Sequence, residues 1–282
     1  MPNDRRIVGN AVLSVAARTA GIMLAFFSLG MATRYLGTEK AGEYFTVIAY
    51  VGIFSVFADL GLYQTLLRDI SRPGAREGEI FSAFFSLRAV SLLAVLGLCA
   101  PLVSLFLPYS STVRLGILFG SGIFICLSLS SLFIAVCQKR LQMQVVAAAE
   151  LISRLVQAAL IYAFLRAGFG VLAALGATFA ASVVQLFILA IRARPRINYS
   201  FSFNAAPWKN ILGASYPIAL STIFSFIYFK VDSLMLSLLK PASHVGIYGL
   251  AYKILEIIIA YPAMYVGLLV PVFARSFSEN RD

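Results

Sequence analysis

Residues 7–31 read IVGNAVLSVAARTAGIMLAFFSLGM, an apolar run with one ionisable side chain, Arg18. About 20 such residues suffice for a helix to cross a bilayer, so the stretch reads as a membrane helix holding a charge near mid-depth. That charge costs roughly 2.5–3.5 kcal/mol even on the lenient insertion scale, and such residues face protein or a water-filled cavity and mark routes for charged solutes. Asn10, Ser14, Arg18, Gly21, Ala25 and Ser28 recur at three- and four-residue steps. They form one small or polar helical face with the guanidinium at its centre. The face reads either as cavity lining or as a packing seam in which Arg18 caps a carbonyl or pairs with an acid.

Seven more apolar runs follow: Tyr44–Leu67, Phe81–Leu107, Val113–Cys137, Val145–Leu165, Val171–Ile191, Ala214–Leu238 and Val245–Val272. The expected fold is therefore all-α, a polytopic membrane protein of about eight transmembrane helices. Residues 1–191 form an N-terminal six-helix bundle, 192–210 a cytoplasmic or interfacial linker, and 211–282 the start of a second bundle. Composition agrees. Charged residues make up 12% of the chain, against about 25% in soluble domains. The net charge of +11 comes without any nucleic-acid-binding motif, which argues against a nucleic-acid partner. Thirteen Lys and Arg fall in the termini and connections on one side, against Arg34, Lys40, Arg114, Arg166 and Lys240 on the other. The positive-inside rule then puts both termini in the cytoplasm. The N-terminal run has no cleavage-site pattern and is expected to stay in the membrane.

Six of the eight runs carry embedded charges: Arg18, Asp59, Arg88, Glu150, Arg154, Asp232, Lys253 and Glu256. Asp59 shares a face with Gly52, Ser55 and Tyr63, and fits either a counter-charge to Arg18 or an interfacial ion pair. Arg88 lies about two turns into its helix, within reach of the interface by snorkelling. Glu150 and Arg154 stand four apart in the order that favours an ion pair, with Gln157 extending a polar wall. Ser221, Ser225, Tyr228 and Asp232 form another polar face. Lys230, two residues from Asp232, points away from it and is expected to snorkel outward. Lys253 and Glu256 lie three apart, ahead of a bend expected at Pro262. Gly116/Gly120 and Ala173/Ala177/Ala181 mark the fourth and sixth runs, which carry no charge in their interiors, as packing helices.

The absences narrow the function. His244 is the only histidine, Cys99, Cys126 and Cys137 are scattered, and no Asp-x-x-Asp pair or phosphate-cradling glycine loop occurs. Metal, disulfide and membrane-transferase readings all lose their residues, so no enzyme and no cofactor is expected. A weak repeat is also present: Gly and Tyr recur at an offset of 204 residues, 42 to 246 and 44 to 248, and Asn10…Ser14 resembles Asn210…Ser215. Transporters are often built from two such halves.

The stretch Thr33-Arg34-Tyr35-Leu36-Gly37…Ala41-Gly42-Glu43-Tyr44, followed by Asp59-Leu60-Gly61-Leu62, resembles the polysaccharide-biosynthesis flippases of the multidrug/oligosaccharidyl-lipid/polysaccharide exporter superfamily. Asp232…Met235-Leu236…Val245-Gly246-Ile247-Tyr248…Ala251-Tyr252-Lys253-Ile254-Leu255-Glu256 resembles the same family's second-half opening, and also the lipid-linked peptidoglycan-precursor flippases. The resemblance implies two six-helix bundles around a cationic cavity, in the bacterial cytoplasmic membrane. It implies a polyprenyl-diphosphate-linked oligosaccharide as cargo, moved outward by alternating access, with polysaccharide polymerase and assembly proteins as partners. Arg18 and Lys253 would meet the diphosphate, with Arg88 and Arg154 as further cavity cations. Asp59, Glu256, Asp232 and Glu150 would serve as counter-charges or in coupling to H⁺ or Na⁺. Family members carry twelve or more helices, so the expectation is a chain lacking its last spans or completed by another subunit, and inactive as a lone monomer. The alternatives are a multidrug/cation antiporter of the same superfamily and a truncated, non-transporting membrane protein.

Overall fold

Gly37 decides where the first apolar run turns. Helix α1 spans Pro2–Asp59, which as one straight rod would be about 87 Å long, nearly three times the hydrocarbon core of a bilayer. At Gly37 the backbone leaves the helix, with φ 73 and ψ 175, a conformation open to a residue without Cβ. Leu29 and Ile48, on either side of this break, line the same cavity, so the chain folds back on itself. The computed structural model describes residues 2–140, 142–193, 206–256 and 258–259, with side chains from residue 17 except Arg18, Leu165 and Ala206. The linker residues 194–205, Pro262 and the basic residues Arg275 and Arg281 lie outside the described residues, as do the side chains of Asn10, Ser14 and Arg18.

A second break follows at Leu60 (φ 53) and Gly61 (φ 66), after which α2 covers Leu62–Ile70. Helix α3 (Glu77–Leu92) continues through a π-helical segment, Leu93–Cys99, into α4 (Ala100–Leu105). The π turn ends just before Pro101, which has no N–H for the carbonyl four residues back. Tyr50 of α1 donates its hydroxyl to the Ala100 carbonyl at 2.8 Å and ties this irregular stretch to the core. Then come α5 (Ser111–Lys139), α6 (Met143–Arg166), α7 (Val171–Ala193) and α8 (Ala206–Leu239). A last helix, α9, occupies residues 242–256.

The fold is all-helical among the described residues, and the chain is a multi-pass membrane protein. Six helical stretches are long and apolar enough to cross a membrane: Thr19–Ile70, Glu77–Leu105, Ser111–Lys139, Met143–Phe164, Val171–Ala193 and Pro207–Leu239. The sequence draws eight. The difference lies in Thr19–Ile70, one stretch that contains the Gly37 break, and in the eighth run, which continues past the described residues.

Among the described residues, three apolar clusters hold the helices together, the smallest joining α1, α6 and α7 through Ala32, Ile161 and Ala177. Of the two larger ones, one joins α2, the start of α3 and the second half of α5 through Leu62, Leu66, Phe81, Phe84, Leu132 and Phe133. The other joins α1, the π segment, α5 and α7 through Val47, Val51, Leu96, Ile117 and Leu175. Small residues allow the second: a Cβ on Gly120 would lie 2.9 Å from Val47 Cγ1 and 3.0 Å from Val51 Cγ2. The packing role expected of Gly116, Gly120, Ala177 and Ala181 is met, all four being buried, whereas Ala173 is only partly buried. Gly120→Leu should cost about 1–3 kcal/mol by overpacking. A detergent-solubilised variant melting with the wild type would contradict this packing.

The repeat also takes physical form. A Cβ on Gly42 would fall 1.7 Å from the Ala242 carbonyl oxygen, and one on Gly246 would fall 2.1 Å from that of Thr38. Shifting the first contact by 204 residues gives the second, so the two related segments make the same contact in exchanged roles. The second half of α1 and α9 therefore cross backbone to backbone at these glycines, the arrangement expected around a local two-fold axis.

Candidate functional site

The cavity begins one turn below that crossing. One compartment, about 260 Å³, is walled by Tyr44, Phe45 and Ile48 of α1, by Phe226 and Lys230 of α8, and by Tyr248, Tyr252, Lys253 and Glu256 of α9. A second, about 240 Å³, shares Leu29, Tyr44, Ile48, Phe124 and Lys253 with the first and continues to Arg154, Gln157 and Thr178 of α6 and α7. Lys253 therefore stands where the two compartments meet, and both it and Arg154 line the second.

Each cation is held in place by its neighbours. Thr178 donates to the Ala174 carbonyl at 2.9 Å, and Gln157 Nε2 donates to Thr178 Oγ1 at 3.0 Å. That leaves Gln157 Oε1 to accept from Arg154 Nη1 at 3.0 Å. The relay fixes one edge of the guanidinium and leaves Arg154 exposed to the cavity. Glu150, half-buried, lies one turn before it on α6. The face of α1 that carries Gly21 lies directly alongside, since a Cβ there would be 4.0 Å from Arg154 Cγ. Arg18 precedes Gly21 by three residues on the same helix; its side chain lies outside the described residues.

On α9, Lys253 Nζ meets Glu256 Oε2 at 2.7 Å while its side chain stays 48% exposed. The other oxygen of Glu256 pairs with Lys230 of α8, whose ammonium also sits 4.4 Å above the Tyr252 ring. The expectation for Lys230 is thus corrected. It does not snorkel outward, because α9 offers it a carboxylate and an aromatic face that the two-residue offset from Asp232 does not reveal. Asp232 is also engaged, accepting from the Tyr248 hydroxyl and, at 2.6 Å, from the Ser233 N–H. Glu256→Ala should lower the melting temperature more than Lys253→Ala. The first strands two lysines, whereas the second leaves Glu256 still paired with Lys230; the reverse order in a thermal melt would overturn this assignment.

Arg88 and Asp59 belong elsewhere. Arg88 is 1% exposed and donates from Nη1 to Asp59 Oδ1 at 2.8 Å and to the Asp59 carbonyl at 3.0 Å. Its Nε and Nη2 reach Ser128 Oγ at 3.0 and 2.6 Å. The guanidinium is buried rather than snorkelling, lines neither compartment, and takes the carboxylate that the sequence reading offered to Arg18. Serines of α5 make this possible, and nothing in the spacing along α3 points to them. Towards the expected cytoplasmic side, Glu77 bridges Lys139 at 2.6 Å and Arg140 at 2.9 Å, tying α3 to the end of α5. Among the described residues no group of His, Cys, Asp and Glu is arranged to hold a metal ion.

The sequence model of the family described as "Polysaccharide biosynthesis protein" matches residues 7–277. The chain belongs to that family. The match covers nearly the whole chain, including both halves of the cavity wall. No curated protein and no solved structure matches the chain. Among the described side chains, the cations the sequence singled out thus separate into two groups. Lys253 and Arg154 come together on one cavity, and Arg88 forms a buried structural knot.

Proposed function

We propose that the chain is a flippase-type transporter, moving polyprenyl-diphosphate-linked oligosaccharide, such as polysaccharide or O-antigen repeat units, across the bacterial cytoplasmic membrane by alternating access. The observation that carries this reading is the shared cavity of Lys253 and Arg154, beside the face of α1 on which Arg18 stands. A diphosphate is the anion such a set suits, because charge-assisted hydrogen bonds from separate cations satisfy oxygens on both phosphorus atoms. The surrounding Tyr44, Phe45, Phe124 and Tyr252 give apolar and aromatic surface for the groups on either side of it. In this reading the chain makes eight crossings with both termini cytoplasmic, a six-helix bundle over 1–191 joined by the linker 192–210 to the start of a second bundle. It uses no cofactor and catalyses no reaction. Glu256 and Asp232 act as counter-charges that hold Lys253, Lys230 and Tyr248 in place, any coupling to H⁺ or Na⁺ requiring those donors to be displaced first, and a polysaccharide polymerase and its assembly proteins are the expected partners.

A cation antiporter of the same superfamily needs membrane carboxylates open to its cargo. Here Asp59, Asp232 and Glu256 are each already engaged by a donor, which favours the anionic cargo. The test is export in cells that depend on this chain for surface polysaccharide. Arg154→Ala/Lys253→Ala should abolish surface polysaccharide at normal protein level; unchanged export would remove both from the mechanism and the reading with them.

A further inference from the structure

We propose that a cavity between the end of α2, the start of α3 and the start of α8 binds the zwitterionic headgroup of a membrane lipid, a phosphate ester carrying a primary ammonium. The site stands apart from the cavity of Lys253 and Arg154, with which it shares no lining residue. The inference takes only the orientation from the transport reading, which puts the α2–α3 connection at the cytoplasmic surface.

The cavity holds about 820 Å³, more than three times either cargo compartment and within the roughly 300–1,000 Å³ of small-molecule sites. Its charged rim is Asp69 in the last turn of α2, Arg72 just past it, and Glu79 in the first turn of α3. Ile80, Ala83 and Phe84 of α3 and Ile211 of α8 form an apolar wall. Glu79 and Phe84 are five residues apart, about 7.5 Å along the helix, so the lining turns from charged to apolar within that depth. Both α3 and α8 begin membrane-crossing stretches here, Glu77–Leu105 and Pro207–Leu239. The cavity therefore straddles the boundary between water and hydrocarbon, and an amphipathic ligand fills both of its ends. Trp208, next to the lining residue Pro207, suits the same level, where Trp side chains collect.

The rim selects the headgroup by charge. Its two carboxylates suit an ammonium, and its guanidinium suits a phosphate. A purely anionic headgroup would meet Asp69 and Glu79 with nothing to offer them. The rim groups are also free to exchange partners. Arg72 Nη2 lies 3.6 Å from Asp69 Oδ1 with the Arg72 side chain 66% exposed, and Arg76 Nη1 lies 3.2 Å from Glu79 Oε1 with the Glu79 side chain 71% exposed. Exposed pairs of this kind contribute little, so a headgroup replaces them at small cost. Arg68 Nε, 3.0 Å from Asp69 Oδ1, keeps that carboxylate oriented.

The test is binding of short-chain phosphatidylethanolamine, phosphatidylglycerol and phosphatidylcholine to the purified, delipidated chain in detergent. Phosphatidylethanolamine should bind saturably and about tenfold more tightly than the others, since one lacks the ammonium and the other's ammonium has no N–H to donate. Arg72→Gln should weaken it about tenfold, and Asp69→Asn/Glu79→Gln should reduce it to the level of phosphatidylcholine. Arg154→Ala/Lys253→Ala should leave it unchanged; loss of binding there would move the lipid to the cargo cavity and overturn the proposal. Equal binding of the three lipids by the wild type overturns it too, as does unchanged affinity in both rim variants. The wild-type comparison decides the matter even where a variant does not fold. Export is not measured, so a negative result leaves the transport reading standing.

Discussion

Arg88→Ala should remove much of the folded protein. The guanidinium, carried by α3, is buried and makes contacts to two other elements at once: the carboxylate and carbonyl that end α1, and two serine hydroxyls of α5. Ser91 completes the cap by donating to the Ala58 carbonyl at 2.9 Å. Removing one partner of a fully buried pair costs about 3–5 kcal/mol; Asp59 keeps 35% exposure and water can reach its carboxylate, so the loss should lie at or below the lower end of that range. Native stabilities are commonly only about 5–15 kcal/mol, so this one change takes a large part of the total. Arg88→Lys should fail nearly as badly, since a single ammonium cannot span Asp59 and Ser128 together. Arg88→Leu/Asp59→Asn should recover part of the loss, because no stranded charge remains. Size-exclusion profiles and melting temperatures in detergent read all three; a wild-type melting temperature for Arg88→Ala would show that the knot contributes little.

Arg154→Ala and Lys253→Ala should act on binding and leave the fold in place. Arg154 is exposed and bonded to Gln157, and Lys253 is half-exposed with Glu256 still served by Lys230 after its removal. A hydrogen bond to a charged group contributes roughly 1.5–3 kcal/mol, so each truncation should weaken diphosphate binding about ten- to a hundredfold. The two side chains stand on different helices with separate supports, so the losses should nearly add in the double variant. Gln157→Leu is the subtler case. It removes no charge, yet frees the guanidinium from its relay and should weaken binding by a smaller factor.

The fold was largely legible because membrane helices declare themselves by length and hydropathy, and the crossing segments lie where the apolar runs are. The turn at Gly37 was not assigned to that residue, because a glycine among apolar residues marks a break only once the helix lengths are known. In the site, Lys253 and Glu256 were readable as a pair from their spacing on one helix. Arg154 lines the cavity beside Gln157, one of the two readings its spacing allowed, and its direct engagement by Gln157, three residues on, was not foreseen. Partners on different helices were invisible: Lys230 with Glu256, Arg88 with Asp59 and Ser128, Tyr248 with Asp232. Periodicity reports which residues share a face, and carries no information about what the face meets. The repeat was the exception. An offset of 204 residues, weak as a pattern of Gly and Tyr, became a pair of reciprocal backbone contacts at Gly42 and Gly246.

The central claim is that Lys253 and Arg154 together hold an anionic, diphosphate-bearing lipid. Its most direct measurement is equilibrium binding of a polyprenyl diphosphate to the purified chain in detergent, with the matching polyprenol as control. The account predicts saturable binding of the diphosphate and little of the polyprenol, with the diphosphate's affinity falling at least a hundredfold in Arg154→Ala/Lys253→Ala while the melting temperature holds. Equal affinity in the double variant, or equal binding of the uncharged polyprenol, would contradict it.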